Sequence, residues 1–220
     1  LLRRGVATLC SRCHSLRSIR EAMQPTRQQL DHLRSFIASM GDMPDESWAL
    51  CAELLRCKQY HKDEYLLRAG DVADWIYFVS TGVLRQFYTT VEGKQFNKSF
   101  SVEDEPCGAF HSAVTRTPSR FSIQALEPTQ VLQIRFEQMF SLFDVDRHWE
   151  RFGRKAAEYQ TLLNEAREAE FLLDDATVRY ARFRQQHPHL ENRIPQYHIA
   201  SYLGITDVAL SRIRKKSCRP

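Results

Sequence analysis

From Thr26 to Cys57, apolar residues recur at helical spacing, first as Leu30, Leu33, Phe36, Ile37 and Met40, then as Trp48, Leu50, Cys51, Leu54 and Leu55, with a break from Gly41 to Pro44. Side chains three and four apart share a helix face, so the pattern predicts two short helices joined by a turn. Between Lys58 and Arg135 the period changes to short runs rich in Val, Ile, Phe, Tyr and Thr, such as EYLLRAGD, WIYFVSTG, VLRQFYTTVEG, KQFNKSF, RFSIQALE and TQVLQIRF. Strands of that length and spacing predict a compact antiparallel sandwich or barrel. Turns are expected at Gly70-Asp71, Thr81-Gly82 and Glu92-Gly93, where glycine most easily adopts a positive φ.

Beyond Phe136 the helical period returns. Trp149, Phe152, Ala156, Tyr159, Leu163, Ala166, Glu170 and Leu173 alternate three and four apart, the spacing of a coiled-coil seam with one charged member. We read it as the face of a homodimer, with Phe152, Ala156, Tyr159, Leu163 and Ala166 as seam residues. The competing reading is a single helix lying on its own β domain. A further helix is predicted from Asp175 to Gln186, stopping at His187-Pro188 because a residue before proline is pushed out of the α region.

Residues 195–216 carry the most constrained pattern. Pro195 suits a first helical position, Gln196 to Leu203 follow as a short helix with Ile199, Ala200 and Leu203 inward, and Gly204 supplies a bend. Thr206 is placed to cap a second helix, with Asp207 in its positive first turn and Leu210 and Ile213 as its buried stripe. Small Ala200 and permissive Gly204 stand where two helices crossing through a three-residue turn need them, so the segment predicts a helix-turn-helix. Its outer face then carries Asp207, Val208, Ser211, Arg212 and Lys215. In a major groove Arg212 suits guanine, Asp207 suits cytosine N4 and Val208 suits a thymine methyl, making these the candidate base contacts. Gln196, Tyr197, Thr206, Ser211, Lys215 and Lys216 suit phosphates, which position a protein without reading sequence.

Charge distribution supports this division. The formal net charge is +4, yet the basic residues gather at the ends, in Arg3, Arg4, Arg12, Arg17, Arg20 and Arg27 and in Arg193, Arg212, Arg214, Lys215, Lys216 and Arg219, which leaves an acidic body. A basic end on an acidic module fits a polyanion-binding segment attached to a part with another task. Residues 1–24 resemble a targeting peptide or upstream read-through in composition, with Met23 as the expected start. Domains are expected at 25–143 for a β module with its N-terminal helices, 144–173 for a dimerisation helix and 174–220 for the helix-turn-helix, after the leader at 1–24. No apolar run approaches the roughly 20 residues of a membrane span, and Cys10, Cys13, Cys51, Cys57, Cys107 and Cys218 are expected as thiols in a reducing compartment. A soluble cytoplasmic protein without a membrane partner is expected.

The order of parts, with Gly70 and Gly82 flanking WIYFVSTG and IPQYHIASYLGITDVALSRIRKK at 194–216, resembles the Crp/Fnr superfamily of transcription regulators. The resemblance implies an α+β fold: an N-terminal antiparallel, cyclic-nucleotide-binding-like β-roll with flanking helices, a long dimerisation helix and a C-terminal helix-turn-helix with little or no wing. It also implies a homodimer on a two-fold DNA operator, and RNA polymerase stands as a further partner compatible with such a regulator. Family members that bind cyclic AMP hold its ribose with a Gly-Glu pair and its phosphate with an Arg-Ser pair. Here Gly108-Ala109 and Ser119-Arg120 fall on those positions, so both charged contacts are missing. No cyclic-AMP response is expected, another small effector is left open, and Val208 replaces the family's base-reading Glu, so no operator sequence transfers.

Other chemistry is weakly represented. Cys10-Ser-Arg-Cys-His14 matches a haem-attachment spacing but is read as coincidence, and an iron-sulfur cluster is disfavoured because the next cysteine is Cys51. His187 and His189 have no acidic or cysteine partner at ligand spacing and are read as a solvated loop. No metal, no cofactor and no enzymatic activity are expected. The alternative to a DNA-binding regulator is a small-molecule sensor acting mainly through its β-roll.

Overall fold

The computed structural model describes residues 23–217; the leader pattern with Cys10, Cys13 and His14, and Cys218, lie outside the described residues. Helix α1 (Arg27–Met40) begins at Thr26, whose hydroxyl accepts the Gln29 N–H at 3.3 Å while the Gln29 side chain accepts the Thr26 N–H at 2.9 Å. This reciprocal pairing satisfies two donors that a helix start leaves open. Helix α2 (Asp45–Ala52) follows the predicted break.

Eight strands then form two four-stranded sheets: β1 (Arg56–Tyr60), β2 (Tyr65–Leu67), β3 (Trp75–Thr81), β4 (Leu84–Thr89), β5 (Gln95–Ser101), β6 (Pro106–Cys107), β7 (Ser122–Ala125) and β8 (Thr129–Arg135). One sheet runs β1-β8-β3-β6 and the other β2-β7-β4-β5, with antiparallel pairing throughout. A short helix α3 (Phe110–Thr115) links β6 to β7. Because side chains alternate across a strand, β3 and β8 turn Tyr77, Val79 and Val131 into the space between the sheets, where they meet Leu84, Ile123 and Ala125. Their other faces, carrying Phe78, Leu132 and Ile134, pack against Leu33, Ile37 and Cys51 of the N-terminal helices.

Helix α4 (Phe136–Val145) leads to the 27-residue helix α5 (Arg147–Leu173). Asp146 caps α5 by accepting the N–H groups of His148 and Trp149 at 2.8 and 3.1 Å, and also accepts the Ser47 hydroxyl at 2.7 Å. Two of the residues read as seam are turned inward here. Trp149 is fully buried and its Nε1 donates to the Ser47 carbonyl at 2.8 Å, while Phe152 packs on the same core. The first turns of α5 therefore lie on the chain's own β-roll, as the competing reading expected. At the other end Glu170 is buried against Arg182 at 3.3 Å and Arg167 at 3.6 Å rather than presented outward.

Helix α6 (Ala176–Gln186) is capped by Asp175, and a 3-10 turn (Leu190–Asn192) leads to α7 (Gln196–Leu203) and α8 (Asp207–Ser217). Pro195 precedes α7 as its N-cap, one residue earlier than predicted. Among the described residues no strand follows β8. These helices cover the outer face of the second sheet: Val83, Phe100 and Leu126 share one core with Tyr180, Phe183, Ile199 and Leu203. Covering explains why Leu84 to Phe87 of β4 are buried on both faces, a strand whose sequence shows no clean alternation. His187 belongs to this packing, with its ring near Phe100, Phe183 and Tyr202, so the solvated reading holds for exposed His189 and not for His187.

Candidate nucleic-acid interface

The last carbonyls of a helix have no partner within it, and at the end of α7 each one is met. Gly204, at φ +70, donates to Ser201 O at 3.3 Å and Ile205 donates to Ala200 O at 3.0 Å, the paired bonds of a Schellman ending. The two remaining carbonyls are capped from outside: Arg167 of α5 donates to Tyr202 O, and Arg179 of α6 donates to Leu203 O at 3.1 Å. The Arg167 guanidinium lies 3.6 Å from the Tyr202 ring centre, and the Phe171 ring stands where a side chain on Gly204 would go. The bend predicted from Gly204 is thus wedged against the long helix and not against α8 alone.

Three residues later the second helix opens on Thr206, whose hydroxyl accepts the Ala209 N–H at 3.2 Å. Leu210 is buried and Ile213 half-buried against the C-terminal core, as the spacing required. The opposite face is exposed along its length at Asp207, Val208, Ser211, Arg212, Lys215 and Lys216, with Val208 61 % exposed. Asp207 stands at the positive start of this helix, and Arg214, Lys215 and Lys216 at its negative end, each sign where the helix dipole favours it.

A groove of about 410 Å³ between the two helices brings Gln196 together with Asp207, Leu210, Ser211, Arg214 and Lys215. Gln196 is half-buried and its amide donates to Glu191 O at 3.1 Å, so it is positioned rather than mobile. Tyr197 is 55 % exposed, with its ring 4.2 Å from that of His198. Arg214, left unassigned by sequence reasoning, also lines the groove; a half-buried cation on the inner flank of a helix carries no periodic signal that separates it from its exposed neighbours.

Below this surface, α7 is seated on β5. Ser201 Oγ accepts the Asn97 N–H at 3.0 Å and donates to Gln95 O at 3.1 Å, which closes main-chain groups at a sheet edge. Beside it Arg85 is buried among neutral partners. It donates to Gln124 Oε1 at 2.9 Å through Nε, to Gln95 Oε1 at 2.9 Å and to Asn97 Oδ1 at 3.3 Å, and it lies 3.3 Å from His198 Nδ1. Burial pulls the Arg85 pKa down, and burial together with the nearby Arg85 charge holds His198 down at about 4. At the rim, Arg193 binds Glu103 through two nitrogens at 2.7 and 2.8 Å and also reaches Glu127. The Arg193 hydrogen bonds hold the Glu103 carboxyl down at about 2. Arg85 meets Gln95 and Asn97 across the β4–β5 hairpin, while Gln124, His198 and the Arg193 pairs join distant parts of the chain and have no local sequence signature.

Along α5 the seam candidates divide. Ala156 is half-buried, whereas Tyr159, Leu163 and Ala166 are exposed, together with Leu162. In the loop after β6, Ala109 is buried; Ser119 is buried and its hydroxyl donates to Phe121 O at 2.8 Å. Arg120 is exposed and lies in the loop before β7 rather than in a strand, so its outward position follows from the loop and not from strand alternation. Among the described residues no three His, Cys, Asp or Glu side chains gather to hold a metal, and no helix is long and apolar enough to cross a membrane.

Comparison with known proteins agrees with this architecture. Residues 57–146 match the cyclic nucleotide-binding domain family. The transcriptional activator protein Anr of Pseudomonas protegens is 33 % identical over 87 residues, 40 % of this chain; the chain spans 35 % of that relative's length. FixK2 from Bradyrhizobium japonicum superposes with a TM-score of 0.65 at 18 % identity, covering 74 % of this chain and 83 % of that one. The c-di-GMP responsive global regulator CLP of Xanthomonas campestris gives 0.61 at 15 % identity, over 79 % and 91 % of the two chains. A mutant of CooA from Carboxydothermus hydrogenoformans gives 0.59 at 20 % identity, over 76 % and 77 %.

Proposed function

We propose that this chain, whose residues 57–146 match the cyclic nucleotide-binding domain family, is a Crp/Fnr-type regulator that binds duplex DNA as a homodimer through α8. The observation that carries the reading is the division of α8 into a buried stripe and an exposed face bearing Asp207, Val208, Ser211, Arg212 and Lys215. An α-helix fits the major groove, where a bidentate Arg212 reads guanine, Asp207 accepts from cytosine and Val208 meets a thymine methyl. Gln196, Tyr197, Thr206, Ser211, Lys215 and Lys216 contact the phosphates, with Arg214 behind them. Thr206 already spends its hydroxyl on the helix start, so its share is the smallest.

Dimerisation uses the exposed middle of α5, with Tyr159, Leu163 and Ala166 as its centre and Ala156 at its edge. Phe152 contributes by anchoring the helix to the roll. Two copies then present two α8 helices to a two-fold operator. Cyclic AMP is not the effector, because Ala109 and the buried Ser119 offer no charge where the ribose and phosphate would be held.

A mobility-shift assay over a salt series tests the core of this reading. Wild-type protein binds duplex DNA with an affinity that falls steeply as salt rises, and the pair Arg212→Ala with Lys215→Ala lowers affinity by about tenfold or more. Unchanged affinity in that pair refutes it.

A further inference from the structure

The guanidinium of a buried arginine is a rigid fork of donors with no acceptor, so the polar groups it faces must accept. Arg85 of β4 is 7 % exposed, with its guanidinium 3.8 Å from the Phe87 ring centre. Nε and Nη2 donate to Gln124 Oε1 at 2.9 and 2.6 Å, Nη2 also donates to Gln95 Oε1 at 2.9 Å, and Nη1 donates to Asn97 Oδ1 at 3.3 Å. This fixes the Asn97 amide, because turning it over would set its NH2 against the fork. Asn97 Nδ2 then points at α7, where it donates to His198 O at 2.8 Å.

Nδ1 of the buried His198 ring lies 3.3 Å from Arg85 Nη1 and 3.3 Å from Asn97 Nδ2. Both neighbours are donors. A neutral imidazole has one acceptor and one donor nitrogen, so Nδ1 carries the lone pair and Nε2 the proton. The Arg85 and Lys62 charges also disfavour an imidazolium at this place. The position in the helix gives the contact its interest. Pro195, the N-cap of α7, makes no side-chain capping bond, so the first turn lacks the device that usually holds a helix start. It is held instead from the roll, through His198, with Ser201 bonded to the Asn97 N–H at 3.0 Å one turn later. Gln196 and Tyr197, read as phosphate contacts, stand on that first turn.

We propose that Arg85 is a positioning residue for DNA contact: its fork, together with Asn97, selects the Nε2–H tautomer of His198 and so sets the first turn of α7, which carries Gln196 and Tyr197. The proposal rests on the reading of the chain as a DNA-binding regulator, and its test has one readout without DNA and one with it. Long-range nitrogen–proton correlation spectra of the full chain near neutral pH read the ring. Wild type shows His198 Nδ1 bare and Nε2 protonated, whereas Arg85→Met frees both the ring and the Asn97 amide, and both tautomers appear. In a mobility-shift assay Arg85→Met and His198→Leu each lower duplex affinity by about tenfold with the far-ultraviolet circular dichroism unchanged. The double variant loses little more than either alone, since both break one contact. His198→Asn, whose carbonyl can stand where Nδ1 stood, binds closer to wild type than His198→Leu does, an order that packing alone would not produce. The proposal is overturned if Nδ1 carries the proton in the wild type, if Arg85→Met binds DNA as tightly as wild type, or if the two losses add in full. Should Arg85→Met fail to fold, the wild-type spectrum and the order of the two His198 variants decide in its place. A wild-type chain that binds no duplex overturns the DNA reading itself; a wild type that binds while Arg85→Met binds equally well overturns this proposal alone.

Discussion

Two turn glycines that look alike in sequence are expected to respond very differently to alanine. Gly70 has φ +97 and nothing within 4 Å of the position a Cβ would take. Its replacement meets only the cost of a side chain in a left-handed backbone, about 1–2 kcal/mol. Gly82 has φ +102, and its Cβ would fall 2.4 Å from Thr129 Oγ1, 2.7 Å from Thr129 Cα and 2.8 Å from Pro128 O. A hydroxyl can rotate away, but two of those three atoms are backbone at the start of β8. Moving them disturbs the register of β8 between β1 and β3. Overpacking of this kind adds roughly 1–3 kcal/mol, so Gly82→Ala should cost about 2–5 kcal/mol in all. Urea titrations followed by far-ultraviolet circular dichroism measure both variants. For a chain of this size each kcal/mol moves the thermal midpoint by about 2–4 °C, so a thermal scan gives an independent reading. Equal destabilisation of Gly70→Ala and Gly82→Ala would refute the claim that close approach to β8, and not φ alone, sets the cost.

Three further outcomes are expected. His198 is held at about 4 and His187 also at about 4, both below the ordinary 6.5 and chiefly through burial. An unfolded chain therefore takes up protons first, and stability present above pH 6.5 is lost as pH falls from 6.5 towards 4; His198→Gln with His187→Gln should flatten an unfolding profile across that window. Glu103 is held at about 2 against an ordinary 4.5, so its contribution is complete above pH 4.5 and lost as pH falls towards 2. Arg193→Ala should remove that acid-labile part, worth at most ~1 kcal/mol at a site screened by solvent, and an unaltered acid limb would contradict the assignment. Leu163→Glu on the exposed middle of α5 should convert a dimer to a monomer in sedimentation velocity while leaving the far-ultraviolet circular dichroism spectrum unchanged; an unchanged sedimentation coefficient would count against the seam.

What was legible in the sequence was whatever a short window can encode. The helical spacing from Leu30 to Met40, the strand texture from Lys58 to Arg135, the stop at His187-Pro188 and the sequence of Gly204, Thr206 and Leu210 each act on neighbours a few residues away. The α5 seam shows where that legibility ends. Trp149, Tyr159 and Glu170 share one spacing, yet one is buried on the roll, one is exposed and one is ion-paired with Arg182. Periodicity identifies a face and is silent on what covers it. Arg85 is the clearest omission: an arginine inside a strand reads as a solvated position, and its burial follows only from α7 arriving on β5 from more than a hundred residues away.

The contacts of α5 and α7 close a loop of three bodies. The roll grips the start of α5 through Trp149, the end of α5 grips α7 through Arg167 and Phe171, and α7 returns to the roll at β5. α7, which leads into α8 through the turn at Gly204, is therefore gripped from the long helix and from the roll at once. All three sides of that loop are sealed by rings and backbone. The third, the seat of α7 on the roll, adds Arg193 with Glu103 and Glu127 at its rim and a guanidinium among neutral amides beside its apolar core. That side exchanges charge for hydration most readily when it opens, which makes ionic strength a mechanical variable for this molecule as well as an electrostatic one.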